Sequence, residues 1–157
     1  MGQPAEPPAA ERRDPAAYVQ LICGGANFRP APLQSARWLD PRGDYPAAGL
    51  IWSSVMDLSL EEWLGFWDEG YEYCGIFDGG RLVARAAAWR YSDDAWELAA
   101  VGVLPEWRRR GLGKAVCTLA TSRILEAGRT ATCTILADNV PMLRTAQAIG
   151  FVLRQDP

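Results

Sequence analysis

No histidine occurs anywhere in the 157 residues. That excludes Ser-His-Asp and Cys-His catalysis and removes the commonest transition-metal ligand, so no metal site is expected. Cysteine is sparse: Cys23, Cys74, Cys117 and Cys133 are widely spaced and form no Cys-x-x-Cys pair. Neither a zinc site nor a disulfide framework follows from that spacing, and four reduced, buried thiols in a cytoplasmic protein are the expectation. No apolar run approaches the ~20 residues that span a bilayer, so no membrane association is expected. The opening "MGQPAEPPAAERRDP" is polar and proline-rich, without the apolar stretch of a signal peptide. Residues 1–13 are therefore expected to be a flexible tail, and 14–157 a single domain. A net charge of -3 and a pI near 5.0 argue against a nucleic-acid partner.

What the chain does have is an ordinary globular share of apolar residues, 49%, and seven tryptophans to fill a core or line an apolar pocket. "DPAAYVQLICGG" reads as a helix capped at Asp14 and ended by Gly24 and Gly25. Residues 27–48 are rich in proline, arginine and glycine and read as loop, and "GLIWSSV" at 49–55 reads as a strand. Ser59 and Glu62 have capping-box spacing, and Leu60, Trp63, Leu64 and Trp67 then recur at helical intervals up to Gly70. "YEYCGIF", "DGG" and "RLVARAAAWRYS" predict strand, tight turn and strand, and "WELAAVGV" a third strand of a meander. Asp93 and Asp94 form the turn before it, and could attract a cationic substrate.

A long helix follows, with Leu112, Val116, Leu119, Ala120 and Ile124 as its apolar stripe and Gly128 as its stop. "TATCTIL" predicts a buried strand, "NVPMLRTAQAIG" a helix opened by Asn139 and closed by Gly150, and "FVLR" a short last strand. The order implies an α+β, or mixed α/β, domain.

The chemistry concentrates in "VGVLPEWRRRGLGKAV", residues 101–116. Three arginines and two glycines sit where a strand turns into a helix. Glycine lets a ligand approach the backbone, and the free N–H groups of a helix start favour anions. The stretch lacks the first glycine and the hydroxyl residue of a Walker A loop, and valine at 116 breaks a dinucleotide fingerprint. A solvated turn and an anion cradle are the remaining readings, and the strand-turn-helix context favours the cradle.

"VGVLPEWRRRGLGKAV" resembles the acyl-CoA-binding motif of the GNAT superfamily of N-acetyltransferases, Arg/Gln-x-x-Gly-x-Gly/Ala, matched by Arg108, Gly111 and Gly113. Val101, Val103 and Pro105 match the strand that precedes it. "NVPMLRTAQAIGF" is similar to the second, asparagine-containing motif ending in Gly-Phe, and "PAAYVQLICGGANF" is similar to the N-terminal part of glycine N-acyltransferase-like members. The resemblance implies a central, mostly antiparallel twisted sheet flanked by helices, acetyl-CoA or another acyl-CoA as co-substrate, and a small amine as acceptor. It further implies that the backbone of Arg109, Arg110, Gly111, Leu112, Gly113 and Lys114 holds the CoA pyrophosphate. Val101 and Val103 would pair with the pantetheine arm, and Asn139 would touch the pantetheine or adenosine side, or simply cap its helix. Arg108 would brace the turn while Arg109 and Arg110 meet phosphate.

Acyl transfer to an amine needs a deprotonated nitrogen, a polarised carbonyl and a proton for the leaving thiolate. Glu97 stands where many members place a general base. Strict alternation would put it on one face with Ala99, Val101 and Val103. The tyrosine these enzymes often use as acid is Ala146 here, leaving Tyr71, Tyr73, Tyr91 or water to protonate the sulfur. Three functions compete: a GNAT-type N-acetyltransferase, a non-catalytic acyl-CoA-binding or regulatory domain of the same fold, and, disfavoured by the acidic pI, a nucleic-acid binder. A homodimer is left open.

Overall fold

The computed structural model describes residues 17–45 and 58–155. The expected tail at 1–13 and the expected strand at 49–55 lie outside them. Seven strands make one sheet in the order β2-β3-β4-β5-β6-β1-β7. They are β1 (Tyr18–Cys23), β2 (Arg37–Trp38), β3 (Tyr71–Asp78), β4 (Arg81–Trp89), β5 (Ala95–Val103), β6 (Thr130–Leu136) and β7 (Val152–Leu153). Among the described residues three α-helices flank it: α1 (Leu60–Asp68), α2 (Leu112–Glu126) and α3 (Val140–Ala148). Every neighbouring pair is antiparallel except β5 with β6. The fold is mixed α+β, with a mostly antiparallel sheet.

The meander is built as its letters suggest. Gly79 and Gly80 take φ of +56° and +82° in the turn between β3 and β4, where a side chain is rarely tolerated. Helix α1 starts in a complete capping box: the Glu62 backbone N–H donates to Ser59 Oγ at 3.1 Å, and the Ser59 N–H to Glu62 Oε1 at 3.3 Å. Gly128, at φ +76°, ends α2.

One expected helix is a strand. Residues 18–23 pair antiparallel with β6 along their whole length, from Tyr18 opposite Leu136 to Cys23 opposite Ala131. Leu21 and Cys23 are fully buried while Gln20 and Ile22 are not, which is the period of a strand. A six-residue apolar run with β-branched Val19 and Ile22 fits either period locally, and the partner strand decides. Gly24 and Gly25 end that strand rather than a helix. The loop expected at 27–48 is irregular where described, apart from the two-residue β2 and the turns around it. Its Ala31 N–H donates to the buried Thr118 Oγ1 at 3.1 Å, so it lies against α2.

Two apolar clusters form the core. The larger joins α2 and α3 to the sheet through small residues, among them Ala84, Ala86, Ala88, Ala115, Ala120 and Ala146. The smaller packs Trp63 of α1 with Leu39, Leu58, Tyr73, Leu82 and Ala87. The predicted stripe of α2 is buried at Leu112, Val116, Ala120 and Ile124, with Leu119 only half-buried. Burial also reaches Ala115, Cys117, Thr118 and Thr121, because sheet, α3 and the 27–33 loop surround the helix. All four cysteines are free and buried.

Candidate functional site

Strands β5 and β6 pair only at their start: Ala95 with Thr130, Trp96 with Ala131 and Glu97 with Thr132. Beyond Glu97 they diverge, and a cavity of about 950 Å³ fills the wedge between them. Leu98 to Val103 line one side, Cys133 to Leu136 the other, and the turn into α2 closes the wide end. The facing backbone edges carry strand-like donors and acceptors without a strand between them, which suits an extended ligand.

The wide end is bordered by the glycine-bearing turn of residues 108–114. Gly111, the N-cap of α2, has φ +78° and supplies no side-chain cap to the first turn. The N–H groups opening α2 are therefore available to an anion, aided by the helix dipole and by the chain's single lysine, Lys114. Arg109, at φ +65°, joins the left-handed positions that shape the turn. A Cβ placed on Gly113 would lie 3.7 Å from Val103 Cγ2 and 4.0 Å from Thr145 Cγ2, both cavity-lining residues. A side chain there would occupy ligand space, so the glycine fits a phosphate-bearing molecule drawn close to the backbone.

The arginines divide. Arg108 Nε donates to the Val103 carbonyl at 3.2 Å and ties the turn to the end of β5. Arg110 packs over the Trp107 ring at 4.5 Å and donates to the Glu106 carbonyl at 3.2 Å, while its own carbonyl accepts from Gln34 Nε2 at 3.1 Å. Val101, Val103, Arg108, Arg109, Gly111, Leu112, Gly113, Lys114 and Asn139 all border the one cavity, and Arg110 does not. Asn139 Oδ1 accepts from the Met142 N–H at 3.3 Å and so caps α3.

Glu97 is placed differently from the alternation argument. Ala87 pairs with Ala99 but Arg85 pairs with Gly102, so β5 carries one extra residue, and Ala100 takes φ +55°. This bulge reverses the alternation. Glu97 and Ala99 share the α1 face of the sheet with Gly102, whereas Val101 and Val103 pack into the α2–α3 core. Arg85 holds the bulge by donating from Nε to the Ala100 carbonyl at 3.0 Å, and burial lowers its pKa to about 10.

Glu97 is half-buried at the narrow end of the wedge, and its Oε1 accepts from Thr134 Oγ1 at 2.9 Å. Thr134 itself lines the cavity, so the carboxylate is joined to it through one hydroxyl. Burial raises the carboxyl above its ordinary range, and the threonine bond opposes that in part. Ala146 is fully buried in the α3 core. Of the tyrosines considered for proton donation, Tyr73 is buried and its pKa pushed well up, and Tyr71 is also raised, burial first in both. The Tyr91 hydroxyl lies 3.1 Å from Thr132 Oγ1.

Sequence reading passed over Thr134, Arg85 and Tyr18, the last on the cavity rim. The threonine alternation in "TATCTIL" and the lone arginine within "RLVARAAAW" were the available signals; misreading residues 18–23 as helix hid the third.

The FR47-like family model matches residues 73–156, just over half of the chain. Among curated proteins none matches. Solved structures do: a GNAT-family protein from Novosphingobium aromaticivorans superposes with a TM-score of 0.71 at 21% identity, covering 88% of this chain and 60% of its own. A GNAT-family acetyltransferase from Colwellia psychrerythraea gives 0.70 at 15%, over 87% and 52%. The ribosomal-protein-S18-alanine N-acetyltransferase from Escherichia coli gives 0.62 at 22%, over 76% and 78%. The chain thus spans between half and two thirds of the length of the first two, and at these identities the likeness is one of fold. Among the described residues no helix is long and apolar enough to cross a membrane. The family model covers more than half of the chain, which therefore belongs to the FR47-like family, and its fold is that of the GNAT-family structures above.

Proposed function

We propose that this chain is an acyl-CoA-dependent N-acyltransferase that moves an acetyl group from acetyl-CoA to a primary amine of a small molecule. The observation that carries the reading is the wedge. A single cavity runs from an uncapped helix start with two glycines to a threonine hydrogen-bonded to a half-buried glutamate. The α2 N-terminus, Arg109 and Lys114 suit a pyrophosphate, and the exposed edge of β5 at Val101 and Val103 suits an amide-bearing arm.

Acetyl-CoA supplies a thioester whose carbonyl carbon an amine can attack. Glu97 takes a proton from the incoming ammonium, leaving a neutral nitrogen whose lone pair forms the C–N bond as the C–S bond breaks. A carboxylate with raised proton affinity is the better base near neutral pH, and Thr134 fixes its orientation. The nitrogen's second proton returns to solvent. No tyrosine stands at position 146 to protonate the leaving sulfur, and a thiolate whose thiol has a pKa of ~8.5 takes its proton from water at modest cost. The buried Ala146 is also the observation that favours the second reading, an acyl-CoA-binding domain without turnover.

Acetyl-CoA at about 100 times its Kd should add ~2.7 kcal/mol of stability, a rise of roughly 5–10 °C in melting temperature. No rise at millimolar ligand overturns both readings. Glu97→Gln should keep that rise while turnover, followed as thiol release across an amine panel, falls about 10²- to 10⁴-fold. Equal loss of acetyl-CoA binding in the variant would reject the base assignment. The acidic limb of kcat should lie above pH 4.5, since burial raises the carboxyl from that ordinary value and only the ionised form accepts a proton. Wild-type binding with silence on every amine favours the second reading.

A further inference from the structure

The α1 face around Glu97 carries a feature that proton transfer does not require. Seven aromatic rings form a connected set on this side: Trp63, Phe66, Trp67, Tyr71, Tyr73, Trp89 and Tyr91. At the inner end Trp63 and Tyr73 are each 1% exposed and serve as core. At the outer end the rings emerge, and Tyr91 is 41% exposed. Tyr71 and Trp89 stack with planes 6° apart and centroids 5.0 Å apart, and Tyr91 follows at 5.3 Å, tilted by 45°.

This outer end meets Glu97. Trp89 is the cross-strand partner of Glu97, so their side chains rise side by side from one face. Tyr71 is in turn the cross-strand partner of Trp89 and continues the same row. The Tyr91 ring reaches past β5 to bond Thr132, which pairs with Glu97 from the other side. Trp89 is itself anchored, its Nε1 donating to the Glu69 carbonyl at 3.3 Å. Glu97 thus stands beside the outer end of the ring set, next to Trp89. Next to Tyr91 lies a second cavity of about 470 Å³, bordered also by Trp96, by Asp68, Glu69 and Asp93, and by Arg90 and Arg129. Its size is that of a small-molecule site.

Building on the N-acyltransferase reading, we propose that the acceptor is an arylalkyl primary amine. Its ammonium lies against Glu97 and its ring packs on the Tyr71–Trp89–Tyr91 wall. The carboxylate and the ring faces attract the ammonium of any amine. What favours this class over a plain aliphatic amine or a polyamine is its flat apolar group, which covers ring surface that otherwise stays wet. The bulge at Ala100 separates the labour: Val101 and Val103 turn to one face and Glu97 with its rings to the other, so acceptor and co-substrate approach the wedge from opposite sides.

The test compares 2-phenylethylamine with n-butylamine and putrescine. Binding is measured calorimetrically in the presence of CoA, which cannot transfer an acyl group, and turnover with acetyl-CoA is followed as thiol release. We expect 2-phenylethylamine to bind at least about tenfold more tightly than either aliphatic amine, a ratio in line with one good ring contact. Trp89→Ala should abolish that preference while the acetyl-CoA thermal shift persists, and Trp89→Phe should restore part of it. Tyr91→Ala, at an exposed position, should weaken 2-phenylethylamine binding without loss of fold. Equal or tighter binding of the aliphatic amines overturns the proposal, as does an intact preference in Trp89→Ala. Either result leaves the N-acyltransferase reading standing, whereas failure of the acetyl-CoA thermal shift removes that reading first.

Discussion

The two faces of the sheet are packed with different material, and the difference separates their tasks. Between α2 and β4 the packing is of small residues, with Ala84, Ala86 and Ala88 in one cluster with Ala115, Val116 and Ala120, while Leu21, Leu98, Ile149 and Phe151 fill the rest of that face. Small side chains let a helix come close to a sheet and leave no room for adjustment. On the α1 face bulky rings do the packing, and the outermost are only half-buried or exposed. One face holds a helix start rigidly at the mouth of the wedge. The other offers surface that a ligand can still cover.

If the α2–α3 side is the rigid one, tightening it further should be costly. Gly150 is the sharpest place, with φ +110° and a would-be Cβ 2.1 Å from the Asn27 carbonyl oxygen. Gly150→Ala combines a disfavoured backbone angle with a backbone collision, so a loss of about 3 kcal/mol or more is expected. By calorimetry that is a fall of roughly 6–12 °C in melting temperature. A change of a degree or two would show that this junction gives way, and the contrast between the faces would fail.

Arg85 tests the boundary between them. Removing its donor leaves the Ala100 carbonyl without that bond, at a cost of about 1–3 kcal/mol. Arg85→Met should therefore lower the melting temperature modestly and reduce kcat by more than the stability loss accounts for, because the bulge sets which way Glu97 faces. Acetyl-CoA affinity, which the proposed function assigns to the far end of the wedge, should change little. Equal losses in affinity and kcat would mean that the bulge merely holds the sheet together.

These contrasts explain what the sequence disclosed. The β3–β4 turn and the capping box are local: each depends on a few adjacent letters with one physical use, and each forms where expected. Val101, Val103, Arg108, Arg109, Gly111 to Lys114 and Asn139 border one cavity, because a single strand-turn-helix unit carries most of them, while Arg110 turns away from it. Strand β1 was illegible because six residues satisfy two periods, and only β6, over a hundred residues away, chooses between them. The side on which Glu97 stands was illegible for a related reason. Alternation assumes one residue per step, and nothing near Ala100 announces an extra one that Arg85 on the neighbouring strand secures.

Asn139 carries the smallest expected effect and distinguishes two uses of one side chain. Its Oδ1 caps α3, and the residue also borders the cavity. Asn139→Ala should cost about 1 kcal/mol through the lost cap, or roughly 2–4 °C. Asn139→Asp keeps an acceptor for the Met142 N–H but removes the amide donors and adds negative charge beside the cavity. If the residue only caps, the aspartate variant keeps wild-type stability and acetyl-CoA affinity, and the alanine variant loses stability alone. If the amide also faces the co-substrate, both variants lose affinity while the aspartate variant stays folded as before. That second pattern would extend the ligand-holding surface from α2 to α3 and place all of it on the small-residue face, opposite the rings.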